Sequence, residues 1–269
     1  MSRLSYAIRD SVTMLRRDFR HSLRYPAMTI GGIGVPVVFL LLFVGVFGHT
    51  LRAGLGAAAS GASYVNYLAP GILVMTAGAA AAATAINVCM DMNEGIVARF
   101  RTMAISRASV LTGQVVGSLI RTLVSAALVI AVAFAVGFRP TATAVQWVAA
   151  AGLFAMLTLA LTWLAVAFGL VARTPAGANS LSLIPEFLPF ISSAFVPPDT
   201  MPAGVRWFAE SQPFTPIIET LRGLLTGTPI GTNAFLAVAW CVGIAAVGYL
   251  WARMQYDRLP TREPRVVAA

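Results

Sequence analysis

Long, continuously apolar runs separated by short polar breaks make up most of this chain. Six of them, at 27–49, 67–90, 113–138, 145–171, 177–195 and 233–252, reach about the 20 residues that an α-helix needs to cross a bilayer. None shows the strict alternation of a membrane β-strand, so helices are expected. The pattern predicts an all-α integral membrane protein with six transmembrane helices inside one domain, 26–252. No stretch outside the spans is long enough to bury a core of its own.

The polar breaks predict smaller elements. Ahead of the first run, Leu4, Ile8, Val12, Leu15, Phe19 and Leu23 fall within an arc of roughly 100° on a helix. Arg9, Arg16, Arg20 and Arg24 occupy the adjoining arc, with Arg17 beyond them. This predicts an amphipathic interface helix over 1–25, ended by Pro26. A signal peptide is the competing reading. The charged region is too long for one, it contains Asp10 and Asp18, and the apolar run after it exceeds an h-region. Between the fifth and sixth runs, the proline-rich stretch 197–232 contains two short helical patterns, about 203–211 and 216–226. Both are too short to span, so they are read as extracytoplasmic or re-entrant. The stretch 91–112 is the main charged interruption between two spans, and 253–269 is a charged tail.

Charge sets the orientation. Six arginines in 3–24, three in 91–112, Arg173 and four in the tail fall on one side of a six-span arrangement. Arg52, Arg139, Arg206 and Arg222 fall on the other, and Arg121 lies within a span. The arginine-rich side is expected to be cytoplasmic, with both termini on it. The expected location is a bacterial cell membrane.

Composition agrees and removes some functions. The chain is 58% hydrophobic and only 11% charged, with a mean hydropathy of +0.80; soluble domains average about 25% charge. All 19 basic residues are arginine. An ATP-binding P-loop needs a lysine on the phosphates, so no ATPase site of that kind is expected in this chain. The net charge of +9 is read as arginine facing anionic lipid, and no nucleic-acid partner is expected. Cys89 and Cys241 stand apart, each within a span, and read as core packing. His21 and His49 fall on opposite sides, and no catalytic or metal-ligand spacing is present.

Three features carry candidate chemistry. Glu186 is the one acid predicted inside a span, at an insertion cost of about 2.5–3.5 kcal/mol. It is either a substrate-facing, cation-selecting carboxylate or a structural acid of the bundle. Pro185 and Pro189 flank it and free backbone carbonyls in the same turns, as at a kink or cavity wall. The small-residue centre of the second span, TAGAAAAATA, is read as a packing face, with a pathway lining as the alternative. In 91–112, Ile96, Phe100 and Met103 recur at helical spacing and Arg99 and Arg101 flank Phe100. That is either a solvated loop or a helix offering an aromatic anchor to a partner.

Two blocks then match a known pattern. Residues 94–111, EGIVARFRTMAISRASVL, resemble the cytoplasmic segment of export permeases of the ATP-binding cassette (ABC) class, in particular the daunorubicin-resistance kind. Residues 192–227 resemble the same family's sequence after the fifth span, with Met201 and Pro202 at a turn, Pro213 and Pro216 at a break, and Arg222 near the end. With the first helix and the six spans, the resemblance covers nearly the whole chain. Two positions depart from it. Ala104 stands where the family often has proline, and Glu186 is not typical.

The resemblance implies a permease subunit without its own ATPase site. It would move a hydrophobic or amphipathic drug-like or lipid substrate out of the cytoplasm or inner leaflet. A separate ABC ATPase subunit carrying ATP and Mg would power it, and no cofactor is expected in this chain. A second permease copy or a paralogue would complete the pathway, within membrane lipids. The coupling residues would be Glu94, Gly95, Arg99, Phe100, Arg101, Met103, Ile105 and Ser106. Met201, Pro202, Pro213, Pro216 and Arg222 would form an outer gate. Spans 1, 2 and 5 would line the path, with Asn87, Asn179, Glu186, Phe187 and Phe190 as candidate contacts. The alternative is an ion- or proton-coupled secondary transporter or channel. That class calls for intramembrane acids in several spans and repeated halves, and only Glu186 is of this kind. A membrane-embedded enzyme is disfavoured by the lack of a catalytic cluster.

Overall fold

The computed structural model describes residues 34–46, 64–93 and 107–258, with 107–113 and 257–258 described for backbone alone. Every regular element among them is helical. They are α1 (Gly34–Val46), α2 (Tyr64–Asn93), α3 (Arg107–Val136), α4 (Ala144–Val171), α5 (Pro175–Phe187), α6 (Ala203–Ser211), α7 (Phe214–Thr226) and α8 (Asn233–Arg258). The interface helix 1–25, the segment 94–106 and the tail from 259 lie outside the described residues.

Helices α2, α3, α4 and α8 are each long and apolar enough to cross a membrane. They match the second, third, fourth and sixth predicted spans. Their ends are set locally. Thr143 caps α4, with its side chain accepting from the Gln146 N–H while the Gln146 side chain accepts from the Thr143 N–H. Thr174 caps α5, where Pro175 fills the first turn and needs no N–H partner. After α3, Gly137 takes a φ of +110° and its N–H donates to the Phe134 carbonyl, while the Arg139 side chain donates to that carbonyl and to the Phe138 carbonyl just beyond the helix.

The fifth predicted span differs from a continuous helix over 177–195. Pro185 is accommodated inside α5, but the α-helix stops at Phe187 and tightens into a 3-10 turn at Leu188–Ile191. Pro189 lies in the first turn of that 3-10 segment and has no N–H to continue the α-ladder. Ser192 then hydrogen-bonds the Pro189 carbonyl through both its N–H and its hydroxyl, turning the chain. The 13 residues of α5 rise about 20 Å and the 3-10 turn about 8 Å more.

Helices α2 and α4 form the centre. Helix α5 packs on α2, α8 packs on α4, α3 touches both, and α7 lies against α2, α4 and α8. Lipid is as apolar as these side chains, so close packing and polar contacts must hold the helices together. Small residues supply the close packing. A Cβ on Gly71 would lie 2.7 Å from the Ala194 Cβ, and one on Gly169 would lie 2.6 Å from the Ala85 carbonyl oxygen. A Cβ on Gly248 would lie 2.6 Å from the Leu164 nitrogen. In the centre of α2, Thr76, Ala77, Gly78, Ala81, Ala82, Thr84 and Ala85 are buried. This face packs against neighbouring helices, as its composition predicts. Both cysteines are free and buried in the packed interior.

Polar contacts identify which helix ends share a face. At one end, Asn93 donates to the Arg173 carbonyl at 3.4 Å and Gln114 donates to Asp91. Phe168 packs edge-on against Trp251 near the end of α8, on this same side. At the other end, Asn66 and Arg139 exchange two hydrogen bonds, of 2.8 and 3.2 Å, and the Thr141 N–H donates to Leu225. Asp91, Asn93, Gln114, Arg173 and the end of α8 therefore lie on one face. Arg139 and the end of α7 lie on the opposite face.

Candidate functional site

Two regions bring candidate residues together. The first is an aromatic cluster between α1 and the end of α5. Phe187 and Phe190 have ring centroids 5.6 Å apart, and Phe190 stacks on Phe195 at 5.1 Å. Phe39 of α1 meets Phe190 edge-on at 5.5 Å, and Phe43 meets Phe195 at 4.5 Å. Phe39, Phe43 and Phe195 were not among the sequence candidates. Their spacing within apolar runs carries no signal that separates them from ordinary span residues.

Glu186 sits beside this cluster. It is half-buried, with its backbone against the small face of α2, where a Cβ on Gly78 would lie 3.2 Å from the Glu186 Cα. Phe187 is 53% exposed and Ile184 65% exposed, so the described residues leave this side of α5 uncovered. Glycine at 78 allows this approach, which keeps α5 tight against α2.

The remaining path candidates occupy another level. Gly71 packs on Ala194 and Gly78 on Glu186, so α2 and α5 run antiparallel. Asn179 precedes Glu186 by about 10 Å along α5, and Asn87 follows Gly78 by about 13 Å along α2. Both asparagines are thus displaced towards the face carrying Asp91 and Arg173. Asn179 is exposed and Asn87 half-buried.

The second region is the opposite end, where Arg222 of α7 is 6% exposed. Its guanidinium donates to the Ser193 carbonyl at 2.6 Å, to the Tyr67 carbonyl at 3.1 and 3.3 Å, and to Glu219 at 2.6 Å. It also lies over the Tyr67 ring, 3.7 Å from the centroid. One side chain therefore ties α7 to the start of α2 and to the turn after α5. Glu219 was legible as an i,i+3 partner of Arg222 on a helix. Tyr67 and Ser193, 155 and 29 residues away, were not.

Pro213 caps α7 and Pro216 is buried in its first turn, with most of α7 buried after it. Its Gly227 cap has a φ of 75°. The helix starts at Phe214, two residues before the expected position. Met201 and Pro202 form the turn between a 3-10 segment, Pro198–Thr200, and α6. Helix α6 is exposed, with Trp207 at 72%, and lies on the surface. Arg206 pairs there with Glu210 at 2.8 Å and Asp199 at 2.7 Å. Those two carboxylates, Glu210 foremost, raise the guanidinium pKa further. Met201, Pro202, Pro213, Pro216 and Arg222 thus share one end of the molecule, and Arg222 and Pro216 are its buried members.

Glu94, Gly95, Arg99, Phe100, Arg101, Met103, Ile105 and Ser106 lie outside the described residues. The helices that flank them meet at the face defined by Asp91, Gln114 and Arg173.

Comparison with known proteins matches this arrangement to a family. The chain is 26% identical over 242 residues to the daunorubicin resistance ABC transporter permease protein DrrB1 of Streptomyces coeruleorubidus, covering 90% of this chain and 83% of that protein. It is 23% identical over 235 residues to the probable doxorubicin resistance ABC transporter permease protein DrrC of Mycobacterium tuberculosis, covering 86% and 82%. The family model described as ABC-2 type transporter matches residues 10–226, most of the length including α1 to α7, and the chain belongs to that family.

Proposed function

We propose that this chain is the transmembrane subunit of an ATP-driven exporter that moves a hydrophobic or amphipathic drug-like or lipid substrate out of the cytoplasm or inner leaflet. A separate ABC ATPase, binding ATP and Mg, powers it. The observation that carries the reading is the family match across residues 10–226. Relatives named for daunorubicin and doxorubicin resistance support the substrate class. In this reading the face with Asp91, Arg173 and the end of α8 is cytoplasmic, both termini lie on it, and the membrane is a bacterial cell membrane. Its arginine excess supports that orientation. The runs containing α1 and α5, the latter with its 3-10 turn, complete six spans.

Residues 94–106 form the contact with the ATPase, with Phe100 as the anchor between Arg99 and Arg101. Nucleotide-driven closure of two ATPases then moves two permease copies, or this chain and a paralogue, between inward- and outward-facing states. The path runs along α1, α2 and α5, past Asn87, Asn179, Glu186, Phe187 and Phe190. The α6–α7 end, with Met201, Pro202, Pro213, Pro216 and Arg222, forms the outer gate.

The test is transport in inside-out vesicles carrying this chain and its ATPase. Arg99→Ala with Phe100→Ala should leave the permease folded and in the membrane while removing most ATP-dependent uptake. Unchanged uptake and ATPase activity in that variant, and in Glu94→Ala, would reject the coupling assignment.

A further inference from the structure

A segment that receives force passes it on only through the packed contacts at its ends. Residues 94–106 follow directly on Asn93, the last residue of α2. The final turns of α2 are fastened to the end of α4. A Cβ on Gly169 of α4 would lie 2.6 Å from the Ala85 carbonyl oxygen and 2.7 Å from the Val88 Cβ, so the two helices meet with no side chain to spare. Val88 is buried with Val115 of α3, Val166 and Ala167 of α4 and Ala252 of α8 in an apolar cluster at this end. Helix α4 stops at Val171, and only Ala172, Arg173 and Thr174 separate it from Pro175, the first residue of α5.

The carbonyls of that three-residue turn lie beyond the α4 ladder and need other donors. Side chains of α2 supply them. The Cys89 thiol donates to the Ala172 carbonyl at 3.5 Å. The Asn93 amide donates to the Arg173 carbonyl at 3.4 Å and to the Cys89 sulfur at 3.8 Å. Thr174 then caps α5, its side chain accepting from the Gly177 N–H at 3.1 Å. The contacts at Gly169 hold the helices together, and these longer polar bonds set where the turn sits. We propose that Asn93 and Cys89 are positioning residues that clasp the α4–α5 turn to the end of α2, so that the base of α5 and the end of α2 travel as one body through the transport cycle. This inference rests on the exporter reading and deepens it. Movement imposed on 94–106 reaches the first turn of α5 with no hinge in between.

The test is a reversible cross-link across the clasp in inside-out vesicles carrying this chain and its ATPase. Asn93→Cys and Arg173→Cys are introduced with Cys89→Ser, which keeps a donor for the Ala172 carbonyl, and Cys241→Ala. A short bifunctional methanethiosulfonate reagent joins the two new thiols, and a mass shift confirms the link. The link should form at the same rate in the nucleotide-free complex and in the complex trapped with ATP and vanadate. Linked vesicles should keep the ATP-driven uptake of a lipophilic dye that they show after reduction. A state-dependent rate, or uptake that the link abolishes and a reductant restores, overturns the clasp and leaves the exporter standing. In the otherwise native chain, Asn93→Ala should lower dye uptake per ATP hydrolysed by about threefold, the worth of one modest hydrogen bond. An unchanged ratio in that variant also overturns the positioning role. Dye uptake by the wild type that does not depend on ATP overturns the exporter reading itself.

Discussion

Arg222 is the sharpest place to perturb the fold. Truncation to alanine removes charge-assisted donors from the Ser193 and Tyr67 carbonyls, breaks the pair with Glu219 and uncovers the Tyr67 ring. A hydrogen bond to a charged group contributes about 1.5–3 kcal/mol, and removing one member of a buried ion pair costs about 3–5 kcal/mol. These effects overlap, so they do not add. Glu219 retains 30% side-chain exposure and can recruit water, which favours the lower part of the range. Arg222→Ala should therefore cost about 3–4 kcal/mol, a fall in melting temperature on the order of 10 °C. Lysine presents one compact ammonium and cannot fork between Ser193, Tyr67 and Glu219, so Arg222→Lys should recover only about half. Tyr67→Phe should cost much less than Arg222→Ala, because it keeps the ring over which the guanidinium lies. The assay is thermal unfolding of the detergent-solubilised permease, followed by size-exclusion of the soluble fraction. A melting temperature for Arg222→Ala within about 2 °C of wild type would refute the clasp.

Other contacts give smaller, directed effects. Gly71→Val should destabilise by about 1–3 kcal/mol, since even a Cβ there lies 2.9 Å from the Ala194 backbone; a wild-type melting curve would contradict the close α2–α5 approach. Ser118→Ala should cost only about 0.6 kcal/mol, because the 2.8 Å bond to Thr84 is a single contact and Thr84 also bonds the Ala80 carbonyl. A loss as large as that of Arg222→Ala would contradict the reading of this contact as a single modest hydrogen bond. Gly248→Leu should separate α8 from α4, read as increased protease sensitivity of the α7–α8 connection, and unchanged sensitivity would argue against that packing.

The long spans were legible because their apolar runs are continuous and bounded by arginine, proline or glycine. Helices α2, α4 and α8 begin within a few residues of the expected positions. The fifth run was harder. Its hydropathy continues to Phe195, whereas its backbone changes at Phe187. Two prolines four residues apart look alike in sequence, yet α5 absorbs Pro185 and the 3-10 turn starts around Pro189. The small face of α2 was legible as packing, because backbones can approach only where side chains are small. The site was legible in part. Glu186 stood out as a lone acid, and Phe187 and Phe190 as its neighbours. Phe39 and Phe43 joined them only through the packing of α1, and Tyr67 and Ser193 joined Arg222 only through folding. Nothing local in their neighbourhoods marks such long-range partners.

The central claim is that this chain moves substrate only when a separate ATPase drives it. Reconstituting the purified permease in proteoliposomes, alone and with its ATPase, and following a lipophilic dye tests this directly. The account predicts movement that needs both subunits and ATP with Mg, and none from the permease alone under a proton gradient. Movement by the permease alone, driven by that gradient and indifferent to ATP, would contradict it.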